Sequence, residues 1–81
     1  MDNFNQMVAN ERTYQDTKWG EQNHEPTWWL AILVEEVGEL AKAILETEQG
    51  LEDTKSVEAE LVQIAAVAKA MWESGKRRSW L

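Results

Sequence analysis

The stretch Ile32-Leu33-Val34-Glu35-Glu36-Val37-Gly38-Glu39-Leu40 sets three carboxylates inside one of the most apolar runs of the chain. Neighbouring residues of a helix point about 100° apart. On that projection the apolar residues around the stretch gather on one side: Trp29, Leu30, Leu33, Val37, Leu40, Ala41 and Ile44. Glu36 lies at the edge of this apolar stripe, Glu39 lies one turn later beside it, and Glu35 lies on the outer side. The pattern predicts an amphipathic helix with a carboxylate cluster along the margin of its buried face.

The close spacing of these carboxylates has an electrostatic consequence. Like charges three or four residues apart on a helix repel each other, and the repulsion grows where water is scarce. A divalent cation with oxygen ligands relieves the repulsion, and Mg²⁺, or Mn²⁺ in its place, suits carboxylates best. The plainer alternative is a solvated acidic face, because the chain carries a formal net charge of −7.

A second apolar run, residues 57–72, repeats the arrangement. The same helical projection places Glu60 within its apolar sector and Gln63 at the margin of that sector. Burying several carboxylates without a partner is costly. We therefore expect the two helices to face each other and to close one shared site.

These residues resemble the signature of a known family. Glu35-Glu36-x-x-Glu39, followed after 20 residues by Glu60-x-x-Gln63, looks like the E-E-x-x-E … E-x-x-D pattern of the MazG-like, all-α nucleoside triphosphate pyrophosphohydrolases. The words EEVGELAKAILE, ELVQIAAVA and QDTKWGEQNH are also similar to short MazG-like proteins, so the resemblance covers residues 12–73. Gln63 departs from the pattern, because it stands where the family signature has Asp and offers a neutral oxygen instead of a charged one.

The resemblance implies a fold, an activity and a set of roles. The fold is an all-α antiparallel helical bundle whose core is completed in a homodimer or homotetramer. The activity is Mg²⁺-dependent hydrolysis of a nucleoside or deoxynucleoside triphosphate to the monophosphate and pyrophosphate. The metal ligands are Glu36, Glu39, Glu60 and Gln63. Glu35 is the catalytic residue that orients or deprotonates the attacking water, or shares a second metal.

Two other functions stay open at this point. The departure at Gln63 allows a nucleotide- or metal-binding regulatory module of the same fold with weak or no turnover. The acidic faces also allow a structural helical protein that uses them in an oligomer interface.

Four residues upstream of the carboxylates are candidates for contact with the substrate: Arg12, Lys18, Trp19 and His24. Arg12 and Lys18 either reach a substrate phosphate or a ligating carboxylate, or are the solvated cations of a surface helix. His24, the single histidine, either bonds a nucleotide or is exposed in a loop. A lone histidine also argues against a ferritin-like di-iron site, which needs Glu-x-x-His pairs.

Length and composition limit the class of protein. A chain of 81 residues forms one domain and buries only about 60–65% of its unfolded surface. Its five tryptophans exceed what one small core hides easily, so association is expected. It has no cysteine, signal-peptide pattern or membrane-length apolar run, which favours a soluble cytoplasmic protein. The negative charge disfavours nucleic acid as a partner.

Helix signals divide the chain into three segments, near residues 3–19, 26–49 and 54–74. Gly20 and Gly50 suit left-handed positions just after a helix, and Pro26 suits a first turn that Thr27 can cap. We further expect Asp2 or Asn3 to cap the first helix, and Asp53, Thr54 or Ser56 to cap the third. Leu51 is expected to fold back on the last turn of the second helix. The short connection between the last two helices predicts that they pack antiparallel around the carboxylates.

Overall fold

Three helices account for most of the residues described by the computed structural model, which are 3–50 and 54–81. They are α1 (Asn3–Trp19), α2 (Pro26–Glu48) and α3 (Thr54–Arg77). No strand occurs within these two ranges. The expected all-α fold is therefore confirmed. In the described part of the chain, no helix combines the length and the apolar character needed to cross a membrane.

Local backbone chemistry sets most helix ends. Gly20 and Gly50 follow α1 and α2 with φ of 75° and 76°, in the left-handed region that glycine adopts without strain. The cap of α2 differs from expectation. Glu25 is the N-cap, with φ −66°, ψ 153° and no side-chain hydrogen bond, and Pro26 begins the helix. Thr27 lies within the first turn because proline at the first position fixes the helix start one residue earlier.

The end of α3 lies three residues beyond the expected position at 74. Gly75 is inside the helix, which continues to Arg77. The chain then reverses at Ser79, which has φ 63°. The amides of Trp80 and Leu81 both donate to the carbonyl of Gly75, at 3.0 and 3.2 Å. The side chain of Leu81 also lies over Gly75, so packing of the following residues extends the helix past a glycine that would otherwise stop it.

The third helix is the centre of the arrangement. In the described part of the chain, α1 and α2 each pack on α3, and no Cα atom of α1 lies within 8 Å of a Cα atom of α2. Trp29 of α2 packs with Val67, whereas Glu36, further along α2, meets Glu60, earlier on α3. The register therefore runs in opposite directions, which confirms that α2 and α3 are antiparallel. α1 runs parallel to α3.

Two small apolar clusters hold the helices together. Val8 packs with Val62 and Ala66 between α1 and α3. Trp29, which is 2% exposed, packs with Val67 and Ala70 between α2 and α3. Partly buried side chains extend these clusters: Met7 and Ala65 in the first, and Ile32, Leu33, Met71 and Trp80 in the second.

The apolar stripe of α2 is only partly buried, contrary to expectation. Trp29 and Leu33 pack against α3, but Leu30, Val37 and Ile44 are exposed. A single neighbouring helix covers only one side of α2, and the stripe is wider than that contact.

Several expected details lie outside the described residues. These are the cap at Asp2, the fold-back of Leu51 and the cap at Asp53. The side chains of Thr54 and Ser56, the other two candidate caps, are likewise not described.

Candidate functional site

Glu36 and Glu60 meet at the interface between α2 and α3. The pKa of Glu36 is raised above its ordinary value of 4.5, first because burial penalises the charged form. The negative charge of Glu60 and a hydrogen bond to its carboxyl raise the pKa further. The antiparallel packing of the helices thus brings together two of the four expected metal ligands.

Two carboxyls that meet at a partly buried interface favour a proton or a cation between them. Two ionised carboxylates contain only acceptors and cannot hydrogen-bond to each other. A hydrogen bond between the two carboxyls would therefore need a proton on one of them. In the described part of the chain, Oε2 of Glu60 is buried without a hydrogen-bond partner. A buried carboxylate oxygen of this kind favours a proton or a cation beside it.

Glu35 and Glu39 surround this pair from the exposed side of α2. Both charges contribute to the raised pKa of Glu36, with Glu60 acting more strongly than either. Both side chains are exposed. The four carboxylates Glu35, Glu36, Glu39 and Glu60 are called the carboxylate cluster below.

The donors of the carboxylate cluster fit a hard divalent cation by their chemistry, because oxygen ligands are what Mg²⁺ prefers. In the structure, however, the side chains of the carboxylate cluster do not converge on one point. Among the residues that the structure describes, no three histidine or carboxylate side chains are grouped closely enough to hold one ion. Glu35 and Glu39 lie on the exposed surface, where a change of rotamer costs little.

Gln63 and Glu36 line the same cavity, of about 160 Å³, between α1, α2 and α3. The cavity is lined by Gln15, Trp19, Gln22, Trp29, Ile32, Glu36, Gln63, Val67 and Ala70. Trp29 adds an unusual feature, since its Nε1 donor is buried and has no acceptor among the described residues. The cavity is thus mixed in character, with apolar walls, three amide side chains and one carboxyl.

The side chain of Arg12 is largely buried and links α1 to α3. Its side chain is 11% exposed, and its guanidinium bonds Glu73 of α3 at 2.6 and 3.1 Å. It also bonds Gln15 and Asp16, each at 3.0 Å. It is therefore not a solvated cation of a surface helix, because its guanidinium is held by three side chains. Through Gln15 it positions one wall of the cavity.

The other three candidate substrate residues lie near the cavity in different ways. Trp19 lines the cavity and is 55% exposed. The ammonium of Lys18 lies 4.7 Å from the centre of the Trp19 ring, a cation–π distance. His24 packs edge-on against Trp29, with ring centres 4.9 Å apart, and it does not line the cavity.

Two polar residues that line the cavity, Gln15 and Gln22, were not among the expected site residues. Gln15 precedes Trp19 by four residues, so their common face of α1 could have been read from the spacing. Gln22 is held in place by Arg77, which bonds the Gln22 carbonyl at 3.0 Å and the Asn23 side chain at 2.9 and 3.1 Å. No sequence signal connects Arg77 with the loop more than fifty residues earlier.

Comparisons with known proteins give no further guide to this arrangement. The chain matches no protein-family model, no curated protein and no solved structure. The residues and their geometry are therefore the basis on which a function can be proposed.

Proposed function

We propose that the protein hydrolyses a nucleoside or deoxynucleoside triphosphate to the monophosphate and pyrophosphate with the help of Mg²⁺. The observation that carries the proposal is the meeting of Glu36 and Glu60 across two helices, with the charges of Glu35 and Glu39 beside them. The MazG-like pattern of these four glutamates supports the same reaction. A cavity that contains Glu36 and Gln63 adjoins the cluster.

The roles follow from position. Glu36, Glu39 and Glu60 would hold the metal, with Gln63 supplying a neutral carbonyl oxygen. When bound, the metal neutralises phosphate oxygens and the charge that develops on the leaving pyrophosphate. Glu35, exposed at the outer side of the cluster, accepts a proton from the attacking water. The water oxygen adds to the α-phosphorus, and the bond from that phosphorus to the oxygen that bridges the α- and β-phosphates breaks.

Trp19 and Lys18 are the proposed contacts to the substrate. An exposed indole suits stacking on a base, and the neighbouring ammonium suits a phosphate. Arg12 and His24 act differently in this proposal. They contact Glu73 and Trp29, and they position the cavity walls instead of binding the nucleotide directly.

A second candidate is a binding module of the same fold with weak or no turnover. Two observations favour it: Gln63 stands where the family pattern has Asp, and the described residues offer no preformed group of three metal ligands. In this alternative the cavity still binds nucleotide or metal, and product forms slowly or not at all.

We also propose that the chain assembles as a homodimer or homotetramer. Three helices in which two pack only on the third leave large apolar side chains uncovered, among them Trp28, Val34 and Leu45. Exposed apolar surface of this extent marks an interaction site.

One experiment tests the reaction and separates the two candidates. The protein is incubated with a panel of ribo- and deoxyribonucleoside triphosphates and Mg²⁺ or Mn²⁺, and the products are separated. We expect monophosphate and pyrophosphate in equal amounts, and their loss in Glu36→Gln. Diphosphate and free phosphate would contradict the proposed reaction, whereas nucleotide binding without product would favour the binding module.

A further inference from the structure

One arginine at the end of α3 holds the loop that precedes α2. Nη2 of Arg77 donates to the carbonyl of Gln22 at 3.0 Å and to Oδ1 of Asn23 at 2.9 Å, and Nε donates to the same Oδ1 at 3.1 Å. Glu21 adds an ion pair with Nε at 3.4 Å. A planar guanidinium supplies several donors in fixed directions, whereas a lysine supplies a single charged nitrogen. These contacts are called the Arg77 latch, and residues 21–23 are called the latched segment.

The latched segment forms one wall of the cavity beside the carboxylate cluster, because Gln22 lines that cavity. The segment lies between a free pivot and a fixed point. Gly20 has φ 75°, and a Cβ there would meet nothing within 4 Å, so the backbone can change direction at this glycine without a clash. On the other side, His24 packs edge-on against Trp29 of α2, with ring centres 4.9 Å apart. Residues 21–23 can therefore swing while His24 stays on α2.

The other walls of the cavity are held more firmly. α1 is docked on α3 by the buried side chain of Val8 and by the largely buried ion pair of Arg12, and α2 is docked by Trp29. The Arg77 latch lies at the surface, since the side chains of Arg77 and Glu21 are 36% and 61% exposed. Polar contacts that water reaches open at a lower cost than buried packing. The latched segment is therefore the wall that opens first.

The closed cavity is smaller than a ligand of nucleotide size. Its volume is about 160 Å³, whereas sites for ligands of that size measure about 300–1,000 Å³. A nucleoside triphosphate therefore fits only after one wall of the cavity has moved. The latched segment is the wall whose movement breaks the fewest buried contacts, so its opening is the natural route of entry.

We propose that Arg77 is a positioning residue that holds residues 21–23 closed over the cavity, and that release of the Arg77 latch admits the ligand. Arg77 does not line the cavity, so it acts through Gln22 and not on the ligand itself. The closure of the segment rests on the contacts above. The identity of the ligand, a nucleoside triphosphate, rests on the proposed function.

Alkylation of a single thiol measures the opening of the latched segment without nucleotide or metal. The chain has no cysteine, so Ala70→Cys adds one thiol. Ala70 is 6% exposed and lines the cavity, so the reagent reaches this thiol through the cavity. Arg77→Ala should speed the alkylation at least about fivefold, because it removes charge-assisted hydrogen bonds that keep the segment closed. The control Arg78→Ala removes the same charge but only an exposed 3.9 Å pair with Glu25, and it should leave the rate unchanged.

Two further variants keep the alkylation test decisive. Ala43→Cys places the thiol at a buried position of α2 that does not line the cavity. Arg77→Ala should not change its alkylation, which separates local opening from unfolding. Asn23→Ala removes the acceptor of two Arg77 bonds and keeps the arginine, so it should speed alkylation of the Ala70→Cys variant even if Arg77→Ala does not fold. Since Arg77→Ala and Asn23→Ala break the same contact, their combined effect on the logarithm of the rate should be less than additive.

The association rate of a nucleotide tests the role of the Arg77 latch in ligand entry. The probe is a nucleoside triphosphate with a methylene bridge between its α- and β-phosphates, mixed with the protein and Mg²⁺ and followed by tryptophan fluorescence, since Trp19 and Trp29 line the cavity. Arg77→Ala should raise the association rate constant by about the same factor as the alkylation rate.

Each result has a separate meaning. Equal alkylation in the Arg77→Ala and Arg78→Ala backgrounds would overturn the Arg77 latch. Faster alkylation with an unchanged association rate would overturn its role in ligand entry. If the unmodified chain binds no nucleotide, the proposed function fails, while faster alkylation in Arg77→Ala still supports closure of the cavity by Arg77.

Discussion

Arg12 of α1 donates two hydrogen bonds to a single oxygen of Glu73 on α3, at 2.6 Å from Nη2 and 3.1 Å from Nε. This ion pair links the two helices. It also fixes Gln15, which accepts from Nη1 of the same guanidinium. The pair therefore couples the docking of α1 to the shape of the cavity.

Arg12→Ala should lower the free energy of unfolding by about 2 kcal/mol, because it leaves a half-buried carboxylate and an amide without their charged donor. The matched control is Arg78→Ala, since the pair of Arg78 with Glu25 is 3.9 Å long and exposed on both sides. That control should change stability by less than about 0.5 kcal/mol. Urea denaturation followed by circular dichroism measures both, and equal effects would contradict the structural role of Arg12.

The pKa of Glu36 gives a pH dependence whose sign can be tested. Because its pKa is raised above 4.5 in the folded protein, the folded state binds more protons than the unfolded state between 4.5 and the raised value. The free energy of unfolding contributed by this group therefore falls as pH rises through that window. Glu36→Gln removes the effect, so the variant should gain stability relative to the unmodified protein as pH rises towards neutral.

The measurement is urea denaturation from pH 4.5 to neutral, in a chelator to exclude divalent ions. Glu58→Gln is the control, because Glu58 is exposed on α3 and is not among the groups that shift the pKa of Glu36. A pH profile for Glu36→Gln parallel to that of the unmodified protein would show that the Glu36–Glu60 contact does not form.

Metal affinity should move in opposite directions in two variants. Gln63→Asp adds a charged oxygen beside Glu36 and should tighten Mg²⁺ binding by about tenfold, because hard cations gain from each anionic ligand. Glu36→Gln should weaken Mg²⁺ binding and abolish stabilisation by the metal. Titration calorimetry and thermal unfolding with and without Mg²⁺ provide the readouts.

Gln22→Asp is the control for added charge alone, because Gln22 lines the same cavity from the loop instead of from α3. Its effect on affinity should be smaller than that of Gln63→Asp. The metal site proposed here fails if Glu36→Gln leaves Mg²⁺ affinity unchanged.

Two helical glycines should respond differently to alanine. A Cβ at Gly38 would meet nothing within 4 Å, so Gly38→Ala should add about 1 kcal/mol to the free energy of unfolding through helix propensity. A Cβ at Gly75 would fall 2.6 Å from Cγ and Cδ1 of Leu81 and 3.2 Å from the ring of Trp80. Gly75→Ala should therefore gain much less or lose stability.

Thermal unfolding compares the two glycine variants. In a Leu81→Ala background most of the overlap at Gly75 is removed, so Gly75→Ala should become more favourable there than in the unmodified chain. An equal gain at both glycines in the unmodified chain would show that Leu81 does not pack over Gly75.

The sequence predicted the ends of the helices well where the signal is the backbone preference of a single residue. Gly20, Pro26 and Gly50 act through their own backbone preferences, and they placed the ends of α1 and α2 to within one residue. The third helix was expected to end near residue 74, just before Gly75, but α3 continues to Arg77. The environment of Gly75 depends on Leu81, and a contact made by residues that come later in the chain is not encoded in the propensity of a glycine.

The site was predicted unevenly for a similar reason. Helical periodicity was enough to bring Glu36 and Glu60 together, since Glu36 lies at the edge of one apolar stripe and Glu60 lies within the stripe that faces it. The environment of Arg12 was not predictable, because its partner Glu73 is 61 residues away and no local pattern joins them. Trp29 was expected on the apolar stripe of its helix, but the burial of its Nε1 without an acceptor among the described residues has no signal in the local sequence.

The central position of α3 has a consequence for the order of folding during synthesis. α2 and α3 are joined by a short connection and can pair as soon as both exist, whereas the contact of Val8 with Val62 closes a much longer loop. A ribosome releases α1 and α2 before α3, the helix on which both of them pack. Protein synthesis therefore produces the segments of α1 and α2 before the surface that buries their apolar sides, and those apolar side chains stay open to aggregation until α3 is complete.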